Sequence, residues 1–168
     1  ELFTGAVLAV VSYSSLATVL LTATLAGSGG IPVEVALGLV LGANLGSGLL
    51  AVLTTLKSNV QTRQVPLGNL VFKIVGVLIM MPLVGLWLRH VRPFVPDAAT
   101  LVVLFHLAFN TVVGLACIGL TGTVARLVQR LLPNEEAPTA GARPRHLDPS
   151  ALATPSLAIS CAAREALH

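Results

Sequence analysis

Four long apolar segments constrain this chain more than any other feature. They cover residues 2–26, 33–56, 67–88 and 98–120, and each is 22 to 25 residues long. A helix needs about 20 apolar residues to cross roughly 30 Å of hydrocarbon, and backbone polar groups in lipid must pair within their own segment. The sequence therefore predicts an all-α fold, a polytopic transmembrane helical bundle embedded in a lipid bilayer.

The composition argues against a soluble domain. Charged residues make up 10% of the chain and hydrophobic residues 55%, whereas a soluble domain carries about 25% charged residues. The formal net charge of +3 is too small to indicate nucleic-acid binding, so we expect no nucleic-acid partner. No clustered Cys/His spacing, P-loop or Gly-x-Ser-x-Gly elbow is present, so we expect neither an enzyme nor a cofactor.

Polar connections at residues 27–32, 57–64 and 89–96 separate the four blocks. The first is rich in glycine and serine, as turns are. The second is closed by Pro66, which predicts that a helix starts there.

Beyond residue 120 the pattern changes. Residues 121–132 are amphipathic, an extension that completes a transmembrane domain over residues 1–132. Residues 133–148 read as a hydrated linker, and residues 149–168 are compatible with helix again. The chain opens at Glu1 without a methionine or a basic segment, so we expect an internal piece of a longer protein rather than a signal peptide.

Basic residues near the ends of the spans predict the orientation. With four membrane crossings, one side of the membrane carries Lys57, Arg63, Arg126 and Arg130. The other side of the membrane carries Arg89 and Arg92. Cytoplasmic loops carry the excess of Lys and Arg, so the first side is predicted to be the cytoplasm. The C-terminal tail is then cytoplasmic as well.

A polar segment, Ser12-Tyr13-Ser14-Ser15-Leu16-Ala17-Thr18, lies at the centre of the first block. Its hydroxyl groups compete for backbone hydrogen bonds and can weaken a helix, and they are hard oxygen ligands for sodium or partners for a phosphate oxygen. The alternative is a stripe of small residues packed between helices. Both interpretations stay open, as does the choice between a crossing and a re-entrant hairpin for residues 2–26.

The second block contains Gly42-Ala43-Asn44-Leu45-Gly46-Ser47-Gly48. Each glycine lowers helix propensity by roughly 1 kcal/mol, and transporters use broken helices to build ion and substrate sites. We therefore expect an unwound stretch here, close to residues 12–17 near the bilayer midplane. The alternative is a tightly packed glycine-rich helix crossing.

Two later segments echo each other. Asn69-Leu70-Val71-Phe72-Lys73 and His106-Leu107-Ala108-Phe109-Asn110 share the pattern polar-Leu-small-Phe-polar. In each, the two polar residues are four apart and thus lie on one helical face. A snorkelling Lys73 and a packing His106 are as well supported as functional roles.

Together these segments resemble the sodium-dependent phosphate cotransporter family of bacteria. Residues 13–18 are similar to that family's Gln-Ser-Ser-Ser-Ala-Thr motif, and residues 42–48 to its Gly-Ala-Asn-Ile-Gly-Thr-Thr motif. Residues 69–76 resemble its His-Leu-Leu-Phe-Asn-Leu-Leu-Gly helix. Residues 144–155 resemble the lead-in to a cytoplasmic PhoU-like helical domain.

The resemblance implies one half of an inverted-repeat transporter, with a helical hairpin and a broken helix, followed by the start of the PhoU-like domain. It implies sodium-coupled transport of inorganic phosphate across the bacterial cytoplasmic membrane, with sodium as the coupling ion. An upstream repeat half would be the partner, and a homo-oligomer is compatible with it. The implied binding residues are Ser14, Ser15, Thr18, Asn44, Gly46 and Ser47, then Tyr13, Lys73 and Asn110. The implied sodium ligands are Ser14, Ser15 and Asn44.

Four positions depart from the family pattern. Tyr13, Leu16, Gly48 and Lys73 stand where the family has Gln, Ser, Thr and Asn. These departures favour a rival function, a transport-inactive membrane domain that anchors the chain and signals through the PhoU-like tail. They also raise the hypothesis that Lys73 is a fixed cation in place of a sodium ion.

Overall fold

The computed structural model describes residues 1–134 and 149–166, and the chain divides into two compact units, Glu1–Asn134 and Glu135–His168. The first unit consists of α1 (Leu2–Val11), α2 (Ser15–Gly27), α3 (Val33–Thr54), α4 (Val60–Val91) and α5 (Ala98–Leu131). The described part of the second unit contains a 3₁₀ helix (Pro149–Ala153) and α6 (Pro155–Ala166). Helices α3, α4 and α5 are long and apolar enough to cross a membrane. The predicted all-α membrane fold is confirmed.

The first apolar block forms a hairpin of two short helices. Helix α1 has 10 residues and α2 has 13, so they are about 15 and 20 Å long, less than the roughly 30 Å of a hydrocarbon core. The chain turns between them at Tyr13, which has a left-handed φ of 53°. Ser14 then caps α2, because its Oγ accepts a hydrogen bond from the Ala17 N–H at 3.1 Å. Hydroxyl residues thus interrupt the first block at the predicted place.

Helix α3 is continuous from Val33 to Thr54, so the predicted unwinding of residues 42–48 is wrong. The glycines serve helix packing instead. A Cβ atom added to Gly42 would overlap the carbonyl oxygen of Leu2, and one added to Gly46 would overlap that of Ala6. Close backbone approach of α1 therefore offsets the low helix propensity of these residues.

The same contacts show that α1 and α3 run parallel. Gly42 lies beside Leu2 and Gly46 lies beside Ala6, so the contact advances along both helices together. At 1.5 Å per residue, the end of α1 lies roughly one and a half helical turns past Asn44 toward the C-terminal end of α3. The hairpin tip and Asn44 are therefore at different depths.

Helices α4 and α5 extend beyond the predicted spans. Helix α4 begins at Val60, not at Pro66, because Asn59 caps it by accepting a hydrogen bond from the Thr62 N–H at 2.8 Å. Pro66 and Pro82 both lie inside α4, which membrane helices tolerate. In α5 the apolar span and the amphipathic extension form one continuous helix.

A side-chain bridge joins the start of α4 to the end of α5. The Nε2 of Gln64 donates to the Leu132 carbonyl and to Asn134 Oδ1, both at 2.9 Å. The end of α3 and the start of α4 share this end of the unit, because only five residues separate those helices. At the opposite end, Arg92 and Glu34 form an exposed ion pair at 3.9 Å.

The core of the first unit lies among α1, α2, α3 and α5. Its largest fully buried side chains include Phe105, Leu37, Leu41 and Leu101. Helix α4 is more peripheral and buries only Val77 and Leu88. The buried polar side chains among the described residues are Thr18, Thr22 and Asn44.

The described part of the second unit is helical where the sequence is compatible with helix. Most of the predicted linker, residues 135–148, lies outside the described residues, as do residues 144–148 of the segment compared with a PhoU-like lead-in. The assignment of residues 149–168 to a PhoU-like domain stays a prediction.

Candidate functional site

Three helices bring five polar side chains together inside the apolar part of the first unit. Helix α3 contributes Asn44 and Ser47, α4 contributes Lys73, and α5 contributes His106 and Asn110. Asn44 is 1% exposed, whereas the other four are half-buried. We refer to these five residues as the polar cluster. Polar groups at this depth are costly and usually functional.

Asn44 is the centre of the polar cluster. Its Oδ1 accepts a hydrogen bond from Asn110 Nδ2 at 3.0 Å, and its Nδ2 lies 3.3 Å from Nδ1 of His106. The same Nδ2 donates to the Val40 carbonyl within α3 at 2.9 Å. Every polar atom of the Asn44 amide is thus paired, and two of its contacts join α3 to α5.

The hydrogen-bond pattern also assigns the His106 tautomer. Asn44 Nδ2 lies 3.3 Å from His106 Nδ1. Asn110 Nδ2 lies 3.3 Å from Nδ1 and 3.5 Å from Nε2, but its two N–H groups donate to Asn44 Oδ1 and to the His106 carbonyl. An amide nitrogen donates and does not accept, so Nδ1 is the acceptor and a neutral His106 carries its proton on Nε2. Asn110 Nδ2 also donates to the His106 carbonyl at 2.8 Å, which fixes the two side chains on one face of α5.

Lys73 joins the polar cluster through Ser47. Its Nζ donates to Ser47 Oγ at 2.6 Å, and Ser47 Oγ donates to the Asn44 carbonyl at 2.9 Å. A Cβ atom added to Gly48 would lie 3.3 Å from Lys73 Cδ, so the aliphatic part of Lys73 packs on the bare backbone of Gly48. These contacts hold the ammonium group against α3.

The polar cluster has no carboxylate. The acidic residues of residues 1–134 are Glu1, Glu34 and Asp97, and each lies at or near the start of a helix. Within the described residues the ion pair found is that of Arg92 and Glu34. The local charge comes from Lys73, so the site favours an anion over a cation.

The hairpin tip is a second polar group with its own hydrogen bonds. Ser12 Oγ and Thr18 Oγ1 donate to the Ser14 carbonyl at 3.0 and 3.2 Å, and Ser14 Oγ caps α2. Tyr13 is 75% exposed and Ser15 is half-buried. In the part of the chain that the structure describes, no hydrogen bond joins this tip to the polar cluster.

The structure therefore divides the predicted site residues into two groups. Asn44, Ser47, Lys73 and Asn110 meet in the polar cluster. Tyr13, Ser14, Ser15 and Thr18 meet at the hairpin tip. Gly46 belongs to neither group, since it contacts α1 at Ala6 and Ala9.

The predicted sodium ligands are divided in the same way. Ser14 and Ser15 lie at the tip and Asn44 in the polar cluster, where its Oδ1 is already occupied by Asn110. No group of three or more His, Cys, Asp or Glu side chains suited to a metal occurs within residues 1–134 and 149–166. The sodium site stays a prediction.

Sequence reasoning did not include His106 among the site residues. Its signal was the four-residue spacing to Asn110 in a segment that echoes residues 69–73. That spacing places both side chains on one helical face. It does not reveal the partner, because Asn44 is 62 positions away from His106.

Comparison with known proteins gives curated relatives and no family model or solved structure that matches. The chain is 48% identical over 164 residues to a protein of Escherichia coli O157:H7 named "Putative inorganic phosphate export protein YjbB". It is 45% identical over 164 residues to the protein of the same name from Salmonella typhimurium. Each alignment covers 98% of this chain and 30% of the relative, so the chain spans under a third of those proteins.

A more distant relative is "Uncharacterized protein YqeW" of Bacillus subtilis. The identity is 29% over 132 residues, which is 79% of this chain and 43% of that protein. The similarity to the proteins named for phosphate export is more extensive, because it covers 98% of this chain.

Proposed function

We propose that this chain is part of a membrane transporter for inorganic phosphate and that the polar cluster lies on its anion path. The observation that carries the proposal is a carboxylate-free polar cluster with one lysine, built where three apolar helices meet. Similarity to proteins named for inorganic phosphate export supports the choice of substrate. The Lys73 ammonium group has three N–H donors, of which one goes to Ser47 Oγ, so two are available for phosphate oxygens.

The proposal includes coupling of phosphate transport to sodium. The hydroxyl groups of the hairpin tip are the support for it, because they are hard oxygen ligands beside a break between two short helices. We also propose a location in the bacterial cytoplasmic membrane, with the end that carries Lys57 and Arg63 in the cytoplasm. The bridge from Gln64 to Leu132 and Asn134 supports a shared side for the start of α4 and the end of α5.

The test is phosphate flux through the full-length protein reconstituted in proteoliposomes, measured in both directions with and without a sodium gradient. We expect flux above that of empty vesicles, and a further increase with sodium. Asn44→Leu should abolish most of the flux, because it removes the centre of the polar cluster. Asn69→Leu is the matched control, since Asn69 lies exposed on α4 outside the cluster.

Each part of the proposal has its own contrary result. Flux that does not respond to sodium would contradict sodium coupling and leave phosphate transport standing. A well-folded protein that moves no phosphate under any gradient would refute transport. That second result would favour a membrane anchor that signals through its C-terminal tail, an alternative supported by the local hydrogen bonds that occupy Ser14 and Thr18 at the hairpin tip.

A further inference from the structure

Lys73 is the one Lys or Arg residue inside the four apolar blocks. We propose that its ammonium group binds the transported oxyanion directly, and that Ser47 and Gly48 hold it in position to do so. This inference rests on the proposed phosphate transport and deepens it by assigning the residue that supplies the positive charge.

The absence of a counter-ion is the first argument. A buried or half-buried charge is stable in a membrane when it is paired. Among the described residues no carboxylate lies within ion-pair distance of Lys73, and its Nζ has a neutral partner, Ser47 Oγ. An ammonium group has three N–H donors, so two remain for an anion.

The direction of the side chain is the second argument. A snorkelling lysine extends along its helix toward the nearer membrane surface. A Cβ atom added to Gly48 would lie 3.5 Å from Leu70 Cα and 3.3 Å from Lys73 Cδ, so Ser47 lies about half a helical turn nearer the Lys57 end than the Lys73 backbone does. The side chain leans toward that end, but its ammonium group ends on Ser47 Oγ of α3, 13 residues before the start of α4 at Val60. It therefore stays inside the unit, where the snorkelling interpretation would place it at the membrane surface.

Gly48 is the third argument. An added Cβ atom there would lie 3.0 Å from Leu70 Cδ1 and 3.3 Å from Lys73 Cδ, both closer than ordinary van der Waals contact. Two of the positions that depart from the resembled family, Gly48 and Lys73, are thus in contact. The small residue makes room for the stem of the charged one, which indicates a built position for the lysine.

The neighbouring groups suit an oxyanion. His106 has its proton on Nε2 by the tautomer assignment above, and Asn44 and Asn110 are held by their mutual hydrogen bond. The polar cluster thus offers the free N–H groups of Lys73 and the Nε2–H of His106, and it carries no negative charge. Inorganic phosphate and the phosphodiester of a lipid headgroup share this chemistry, and the proposal commits to inorganic phosphate.

The experiment measures binding of radiolabelled phosphate by equilibrium dialysis to the full-length protein in a maltoside detergent. The variants are Lys73→Met, Lys73→Arg and Lys57→Met, where Lys57 is the other lysine of the chain and lies exposed in a loop. Loss of a charge-assisted hydrogen bond should weaken phosphate binding roughly 10- to 150-fold in Lys73→Met. Lys73→Arg should stay within a few-fold of the native affinity, and Lys57→Met should equal it.

Stability separates anion binding from a structural role. Removing an unpaired charge from the membrane interior should leave the thermal unfolding temperature of Lys73→Met without phosphate unchanged or higher. The stabilisation that phosphate gives the native protein should be lost in the same variant. If Lys73→Met does not fold, Lys73→Gln takes its place, since it also removes the charge and should weaken binding; unchanged affinity in that variant would overturn the proposal.

Sulfate is tested as an alternative oxyanion, and phosphatidylglycerol is tested as a competitor that carries a phosphodiester. Native phosphate affinity in folded Lys73→Met overturns the role of Lys73 and leaves phosphate transport intact. Lys73-dependent binding of sulfate without any phosphate binding supports the anion site and refutes the proposed substrate. Binding of neither oxyanion refutes both, and displacement of phosphate by an equal concentration of phosphatidylglycerol overturns the choice of inorganic phosphate as the ligand.

Discussion

Replacing Asn44 and Asn110 with alanine, singly and together, measures the hydrogen bond that joins α3 to α5. The bond is 3.0 Å long, and Asn44 is 1% exposed. Interhelical hydrogen bonds in membrane proteins average about 0.6 kcal/mol in double-mutant cycles and reach about 1.7 kcal/mol. Because Asn44 itself is buried and is held further by its contact with His106, we expect a coupling energy in the upper half of that range, about 1 to 1.5 kcal/mol.

The single variants should be more costly than the coupling term. Asn44→Ala loses its contacts with both Asn110 and His106 and leaves a small cavity, so we expect a loss of about 2 to 3 kcal/mol in the free energy of unfolding. The assay is unfolding of the full-length protein in mixed micelles by titration with dodecyl sulfate, followed by far-ultraviolet circular dichroism.

A matched cycle between Asn44 and Asn69 gives the reference. Asn69 lies exposed on α4, and independent sites add within about 0.3 to 0.5 kcal/mol. A coupling energy for Asn44 and Asn110 no larger than this reference would contradict the joined polar cluster.

Further tests concern the packing and the orientation of the helices. Gly46→Ala should destabilise the protein by about 1 to 3 kcal/mol in the same unfolding assay, because the new Cβ meets the Ala6 backbone. Gly85→Ala, where an added Cβ meets nothing within 4 Å, should be neutral or stabilising, and equal effects at the two positions would contradict the close contact of α1 with α3. Single cysteines at Ser58 and Phe94, in a background without the native cysteines, should differ in labelling of intact cells by an impermeant reagent, with only position 94 labelled; labelling of position 58 alone would reverse the proposed orientation.

The membrane fold could be predicted because hydropathy and span length are local properties of the sequence. The interruption of the first block was also visible, since Ser14 is a strong helix cap and the hydroxyl residues around it form local hydrogen bonds. The continuity of α3 was not visible. Glycine propensity favoured a break, but the packing of α1 on Gly42 and Gly46 depends on a contact between segments about 40 residues apart.

The polar cluster shows the same division between local and long-range information. The spacing of His106 and Asn110 indicated a shared helical face, and Lys73 stood out by its charge. Their convergence on Asn44 and Ser47 depends on the register of three helices, which a single sequence does not give. The predicted set was therefore close to the structural one, yet it merged two groups that no hydrogen bond among the described residues joins.

The exposure of the polar cluster bears on what surrounds this chain in the membrane. Lys73, His106 and Asn110 are half-buried, although they lie in segments apolar enough to span the bilayer. Their open sides are not compatible with hydrocarbon, because an unpaired lysine there is costly. They require a polar surface that residues 1–134 do not supply, such as another part of the same protein, a second copy, or a water-filled cavity. An upstream repeat half would meet this requirement and place the anion path between the two halves, where inverted-repeat transporters bind their substrates.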